Sequence, residues 1–358
     1  MTTLHKHFLV IIILILGFIT SCSKNDDPNP ITNYTTIENL LNDIDFQGYA
    51  IITKNGNNLI RQGFGLANEN TALPQDYNLN YRIGSVTKTL TAAGIVQLKR
   101  DGLISSFNQT LDEFDSEFPN GNQITIAQLL SHQSGIPDYQ LVVEDAYEQG
   151  EILDEEDIYQ VIKDMISENG LNFSPGTNKQ YSNSNFLIAA LLIQEVSQMP
   201  YHDYIQQKIF NPLEMSNTYK GADVIDINTN AQGYLNGTPN SSYPMTIAFG
   251  AGDFSSTPKD METWVNAVKT NWFTNAEKTE IFTQNVSSGY TDFGLGWFTT
   301  QEGNTTMYWH GGDINGYWSM IGFIPEFDAT IVLLSNQQDD TGTQRNTIIE
   351  QLLTNEFN

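Results

Sequence analysis

Residues Ser319–Asn336 read SMIGFIPEFDATIVLLSN: two runs of β-branched and large apolar residues joined through Pro325 and Asp328, the pattern of a β-hairpin. A matching stretch lies at the other end of the chain, GYAIITKNGNNLIRQGFG from Gly48 to Gly65, where Asn55-Gly56 supplies a two-residue turn. Outside these hairpins, Ile37, Leu40, Leu41 and Ile44 recur at helical spacing near the start, and Ile348, Ile349, Leu352 and Leu353 do so near the end. Between about Thr91 and Trp272 the pattern is mainly helical. Ile158, Val161, Ile162, Met165 and Ile166 make one stripe closed by Gly170, NFLIAALLIQEV from Asn185 is apolar nearly all round, and Thr257-Pro258 with Asp260 opens a further helix. Strands at both ends around a helical middle predict an α/β (α+β) fold: one antiparallel sheet built from both chain ends, flanked by helices, with an inserted mainly helical lobe and a cleft between the two. The expected α/β lobe covers residues 34–90 and 290–358, the helical lobe residues 91–289.

The first 22 residues, MTTLHKHFLVIIILILGFITSC, stand apart from this pattern. Lys6 precedes an apolar run from Phe8 to Ile19 that is too short to span a bilayer. The run ends at Cys22, the chain's only cysteine, and resembles the lipobox of bacterial lipoproteins, with cleavage before Cys22 and acylation of its thiol. Residues 1–21 are thus expected to be a signal peptide and residues 22–33, rich in Asp, Asn and Pro, a lipid-anchored tether. Ser23 after the cysteine resembles outer-membrane sorting, so the expectation is an exported protein, lipid-anchored in the bacterial cell envelope at the outer membrane. One cysteine leaves no intramolecular disulfide, and the 358-residue chain is long enough to rely on its core. Its formal net charge of −26 repels phosphate backbones and argues against a nucleic-acid partner.

For a chain so short of cations, the placement of Lys88 is informative. In YRIGSVTKTLTAAGIVQLKRDG, Tyr81–Gly102, a predicted helix carries Ser85 and Lys88 in its first turns. Side chains three apart on a helix have β-carbons about 5–6 Å from each other, and a serine becomes a nucleophile when a nearby base takes its proton. At a helix start, unpaired N–H groups favour a developing oxyanion. The pair alone is a weak signal. Two other stretches add polar groups to it: SPGTNKQYSNSNF, with Tyr181 and Asn183 after a Pro-Gly turn, and YWHGGDINGYWSMIGF, with His310, Gly311 and Gly312 on the approach to a strand.

From about Gly48 to Asn336 the chain resembles the class C type of serine β-lactamase-related hydrolases, a family of β-lactamases, penicillin-binding carboxypeptidases, D-aminopeptidases and esterases. The resemblance rests on six ordered stretches: YRIGSVTKTLTA, ITIAQLLSHQSGIPDY, FSPGTNKQYSNSNF, IFNPLEMSNTY, FGLGWF and HGGDINGYWS. It implies Ser85 as the acylated nucleophile, Lys88 as acceptor or relay of its proton, and Tyr181 as partner base with a phenol pKa drawn down from about 10. It also implies that Asn183 holds the substrate amide, that His310 and Gly312 occupy the first and third positions of the family's strand motif, and that the N–H groups of Ser85 and Asp313 form the oxyanion hole. Lys88 can act as a base only if its surroundings bring its pKa down from about 10.4.

The implied activity is an acyl-enzyme serine hydrolase acting on esters, amides or D-amino-acid peptides of the cell envelope. β-Lactam or D-Ala-D-Ala cleavage, or a penicillin-binding sensor that acylates without turnover, are the alternatives. In place of the class A pairing of S-x-x-K with S-D-N and K-T-G, this chain has Tyr181-Ser182-Asn183 and His310-Gly311-Gly312. A histidine is mostly neutral at pH 7 and cannot clamp a substrate carboxylate as lysine does, which favours esters, amides and D-amino-acid peptides over β-lactams. His132 is expected to be buried and structural, and His202 to lie on the surface. None of the three histidines that follow the expected signal segment is paired at metal-ligand spacing and no Gly-rich phosphate loop occurs, so no metal or cofactor is expected, only a small-molecule or peptide substrate.

Overall fold

In the computed structural model, which describes residues 36–240, 242–282, 291–338 and 342–357, the two end hairpins lie in one sheet. Its strands are β1 (Gly48–Lys54), β2 (Asn57–Phe64), β3 (Thr291–Phe293), β4 (Phe298–Glu302), β5 (Thr305–Ile314), β6 (Tyr317–Ile324) and β7 (Ala329–Ser335). They run antiparallel in the order β3-β4-β5-β6-β7-β1-β2, so the chain's two ends meet where β1 pairs with β7, Gly48 opposite Ser335. The β1–β2 turn is at Asn55 and Gly56, both with positive φ (51° and 77°), the conformation that makes Asn-Gly the favoured pair there. Every residue of β6 and β7 is buried, because helices cover both faces of the sheet's middle.

The helices follow the sequence stripes. α1 (Ile37–Asp43) buries Ile37, Leu40 and Leu41. α2 (Thr87–Arg100) and α6 (Ser184–Ser197) pack on each other and are buried almost all round. Between them come α3 (Ile126–Leu130), α4 (Gln140–Glu148) and α5 (Glu155–Asn169), the last capped by Asp154 and ended by Gly170 at φ 77°. α7 (Tyr201–Ile205) leads to α8 (Pro258–Thr270), whose Thr257 cap accepts from Asp260 N. α9 (Asn275–Phe282) and α10 (Thr343–Gln351) complete the set. α8 lies on β7, β6 and β1, so a helix from the middle of the sequence also covers the sheet. The expected signal segment, residues 1–21, and the tether with Cys22, residues 22–33, lie outside the described residues. No described helix is long and apolar enough to cross a membrane.

One element departs from the sequence reading. Tyr81 and Arg82 do not begin a helix; they pair as a short strand with Ser255 and Ser256. Ser85 then sits in a 3₁₀ turn, Gly84–Val86, which runs into α2 at Thr87. The pairing holds the chain extended through Arg82, and Gly84, at φ 49°, makes the reversal into the turn.

Candidate active site

The 3₁₀ turn carrying Ser85 is pressed against β5. The Ser319 hydroxyl donates to Ile83 O at 2.7 Å, and a Cβ on Gly312 would stand 2.0 Å from that same oxygen and 2.9 Å from Ser85 N. A Cβ on Gly84 would stand 2.9 Å from Asp313 N. Two glycines therefore let backbone meet backbone, and the contact sets the amides of Ser85 and Asp313, the expected oxyanion donors, on adjoining segments.

Ser85 is partly exposed while Lys88, one helical turn on, is fully buried. The Lys88 Nζ lies 3.0 Å from Ser85 Oγ, 2.8 Å from Asn183 Oδ1 and 2.7 Å from Ala251 O. Burial lowers its pKa to about 7, against the opposing pull of the Asp138 and Asp253 carboxylates; the cause is desolvation, with no cationic neighbour contributing. The geometry at nitrogen follows from valence. Asn183 Oδ1 and Ala251 O can only accept, so they consume two N–H groups. In the neutral amine the remaining tetrahedral direction holds the lone pair, and it points at the Ser85 hydroxyl.

Tyr181 reaches the same place from the other side. Its backbone neighbours Gln180 N and Ser182 N donate to His132, to its carbonyl at 2.9 Å and to its Nδ1 at 3.1 Å, and the His132 ring stacks on the phenol at 4.3 Å between centroids. His132 is thus buried and hydrogen-bonded, as expected, and it also backs the tyrosine. The Lys88 amine sits 4.9 Å from the Tyr181 ring centroid, and the Ser85 hydroxyl is near enough to pull the phenol pKa down. Burial outweighs that pull and leaves it well above its ordinary value. The sequence expectation had the phenol drawn down by the ammonium, but Lys88 loses its proton near neutrality, long before the phenol, and so supplies no such charge.

Asn183 corrects another expectation. Its side-chain NH₂ donates to Asp138 Oδ2 at 3.1 Å and to Gln140 Oε1 at 2.8 Å, while its oxygen faces Lys88. With both hydrogens committed, it has no donor left for a substrate amide. His310 is buried and neutral, its pKa held at about 3 by burial with the Lys88 charge adding to it. Its Nδ1 donates to Gly311 O, its ring stacks on Phe298 at 4.3 Å, and its Nε2 has no hydrogen-bond partner among the described residues. His202 is not a surface residue: it is half-buried and pairs with the fully buried Asp253 at 2.6 Å, which anchors the turn bearing Ala251.

Arg345, on α10, escaped the sequence reading. Its guanidinium fills the space a Cβ on Gly311 would need, donating to Gly312 O at 3.2 Å and pairing with the Asp313 carboxylate at 2.7 Å. The strand that lacks a lysine thus has a cation behind it, already matched by its own acid. Neither of two surface hollows, of about 250 Å³ beside Gln128 and Gln133 and about 170 Å³ beside Val143 and Ile247, is lined by Ser85, Lys88 or Tyr181. Among the described residues, no group of three or more His, Cys, Asp or Glu side chains could hold a metal ion.

Known proteins share this arrangement of elements along most of the chain. The family model described as Beta-lactamase matches residues 35–355. The chain is 29% identical over 327 residues to the putative penicillin-binding protein PbpX of Bacillus subtilis (strain 168), covering 89% of this chain and 78% of that one. It is 27% identical to penicillin-binding protein 4* of the same organism, covering 86% and 72%. Among solved structures it is similar to the D-amino acid amidase of Ochrobactrum anthropi SV3, with a TM-score of 0.74 and 23% identity over 90% of this chain and 99% of that one. It is also similar to a penicillin binding protein from Bacillus halodurans, with a TM-score of 0.73 and 22% identity over 87% and 98%; these two likenesses are of fold. With a family model matched from the first described helix to the last turns of the chain, and the sheet and helices of that fold in place, the protein belongs to the beta-lactamase family.

Proposed function

We propose that the protein is a serine hydrolase that forms an acyl-enzyme on Ser85 and acts on esters, amides or D-amino-acid peptides of the cell envelope. The observation that carries this reading is the Lys88 amine, buried, 3.0 Å from Ser85 Oγ and with a pKa brought to about 7. In its neutral form it takes the hydroxyl proton as Oγ attacks the substrate carbonyl. Collapse of the tetrahedral adduct breaks the bond to the leaving group, which takes the proton back from Lys88; water then releases the acyl group by the same steps in reverse roles. Tyr181, protonated throughout, is suited to pass that proton and not to act as an independent base. The neutral His310 and the internally matched Arg345–Asp313 pair support substrates whose recognition does not depend on a free carboxylate.

Two measurements test this. kcat/KM for p-nitrophenyl acetate should fall on the acid side with a midpoint near pH 7, because protonation of Lys88 removes the base; a rate flat through neutrality would refute the assignment. Intact-mass spectrometry should show a fluorophosphonate adduct on Ser85. With a penicillin, a persistent adduct would favour the sensor reading, in keeping with the penicillin-binding names of the relatives.

The reading includes export and a lipid on Cys22, supported by Lys6, the apolar run and the single cysteine that follows it. Palmitate labelling in a bacterial host should be lost in Cys22→Ala; label retained in that variant would remove the anchor.

A further inference from the structure

Asp138 and Gln140 lie just before and at the start of α4, and neither touches Ser85. Asp138 accepts from the backbone N of Asn183 at 2.8 Å and from the backbone N of Gln140 at 2.9 Å, as well as from the Asn183 side chain. Gln140 Oε1 takes the other Asn183 hydrogen, while its own NH₂ is held by Glu144 at 2.9 Å. Every group facing the Asn183 NH₂ is therefore an acceptor, fixed in that role by its other partners. A flipped carboxamide would aim its oxygen at a carboxylate and at a second amide oxygen, two acceptor-to-acceptor contacts that are costly in a partly buried site.

We propose that Asp138 and Gln140 are positioning residues for acylation: by holding the Asn183 carboxamide in one orientation they keep its oxygen on Lys88, and this directs the Lys88 lone pair to the Ser85 hydroxyl. The inference rests on the reading of Ser85 and Lys88 as nucleophile and base. With the carboxamide flipped, Lys88 would face an N–H, and its lone pair would turn to that donor and away from Ser85. Asp138 has a second effect through its charge, which favours the ammonium of Lys88 and so opposes the lowering by burial. The other groups facing the amine are Ser85 on its own turn, Tyr181, the Ala251 carbonyl, and Asp253, which acts with the same sign as Asp138. His132 and His310 are held neutral by burial and carry no opposing charge.

The test is the pH profile of kcat/KM for p-nitrophenyl acetate in Asp138→Asn and Gln140→Met, with melting temperature as the check on folding. In Asp138→Asn the plateau should fall at least about tenfold, because the base loses its aim, and the acid limb should move to lower pH by about half a unit or more, because a neighbouring negative charge is gone. In Gln140→Met, which removes an acceptor and no charge, the plateau should fall severalfold and the limb should stay. An Asp138→Asn enzyme that keeps its wild-type plateau within about twofold, or whose acid limb does not move, overturns the proposal. Should Asp138→Asn fail to fold, an unchanged Gln140→Met plateau overturns it alone. NMR titration of ¹³C-labelled Lys88 reads the amine directly and must show the same downward shift in Asp138→Asn even without turnover. Failure of the hydrolase reading itself would appear separately, as unchanged turnover in a protein lacking the Ser85 hydroxyl.

Discussion

Ser85→Ala is expected to lower kcat/KM for p-nitrophenyl acetate by at least about 10³-fold with no measurable change in melting temperature. The two halves of this expectation have different causes. The hydroxyl is in contact with the Lys88 amine and sits at a partly exposed position where a substrate can reach it. Stability is spared because Lys88 keeps Asn183 Oδ1 and Ala251 O as partners, and the lost atom was part exposed. A variant that hydrolyses the ester at the wild-type rate would mean that another nucleophile does the work, and the assignment of this site would fall with it.

Lys88→Met should also cost about 10²–10⁴ in kcat/KM, the range supplied by a positioned base. Combined with Ser85→Ala it should cost no more than the costlier of the two changes alone, since the two groups act as one unit. Its signature in stability is distinctive. The folded-state pKa of Lys88 is depressed to about 7 from the ordinary 10.5, so the fold penalises the protonated form. That penalty is present in full below about pH 7 and is relieved as pH rises from 7 towards 10.5, over which range the unfolded chain binds a proton that the folded chain does not. Wild-type stability should therefore gain a rising contribution across that window that the methionine variant lacks. In urea melts the variant should compare most favourably with wild type on the acid side of the window and progressively less well towards its alkaline end. Other titrating groups are common to both proteins and cancel in the difference. Parallel stability curves would show that the amine is not desolvated.

The sheet was legible in the sequence because hairpins are local. Asn55-Gly56 and the run from Ser319 to Asn336 each specify a turn and two strands within about eighteen residues, and an antiparallel pair needs little more. The helical stripes, the Thr257 and Asp154 caps and the Gly170 stop were legible for the same reason. Tyr81 and Arg82 were not, because what keeps them out of a helix is a pairing with Ser255 and Ser256, far along the chain.

The same division runs through the site. The three-residue spacing of Ser85 and Lys88 fixes their contact within one stretch of backbone, and the six family-like stretches bring Tyr181, His310 and Gly312 into consideration. What each group does there depends on partners that only folding supplies. Asn183 lies 95 residues from the amine its oxygen meets, Ala251 lies 163 residues from it, and Asp138 lies 45 residues from the amide it holds. These contacts turn Asn183 from a substrate clamp into a fixed acceptor. Burial, a property of the packed protein and of no single segment, brings the lysine down to about 7, sends the tyrosine up, and keeps His310 neutral. Arg345 meets Asp313 only because α10 packs on the sheet at Gly311. Sequence determined which reactive groups are present and which share a turn of backbone; tertiary structure decided their charge, their orientation and which of them remain available, because desolvation and hydrogen-bond partnership come from neighbours distant in the chain.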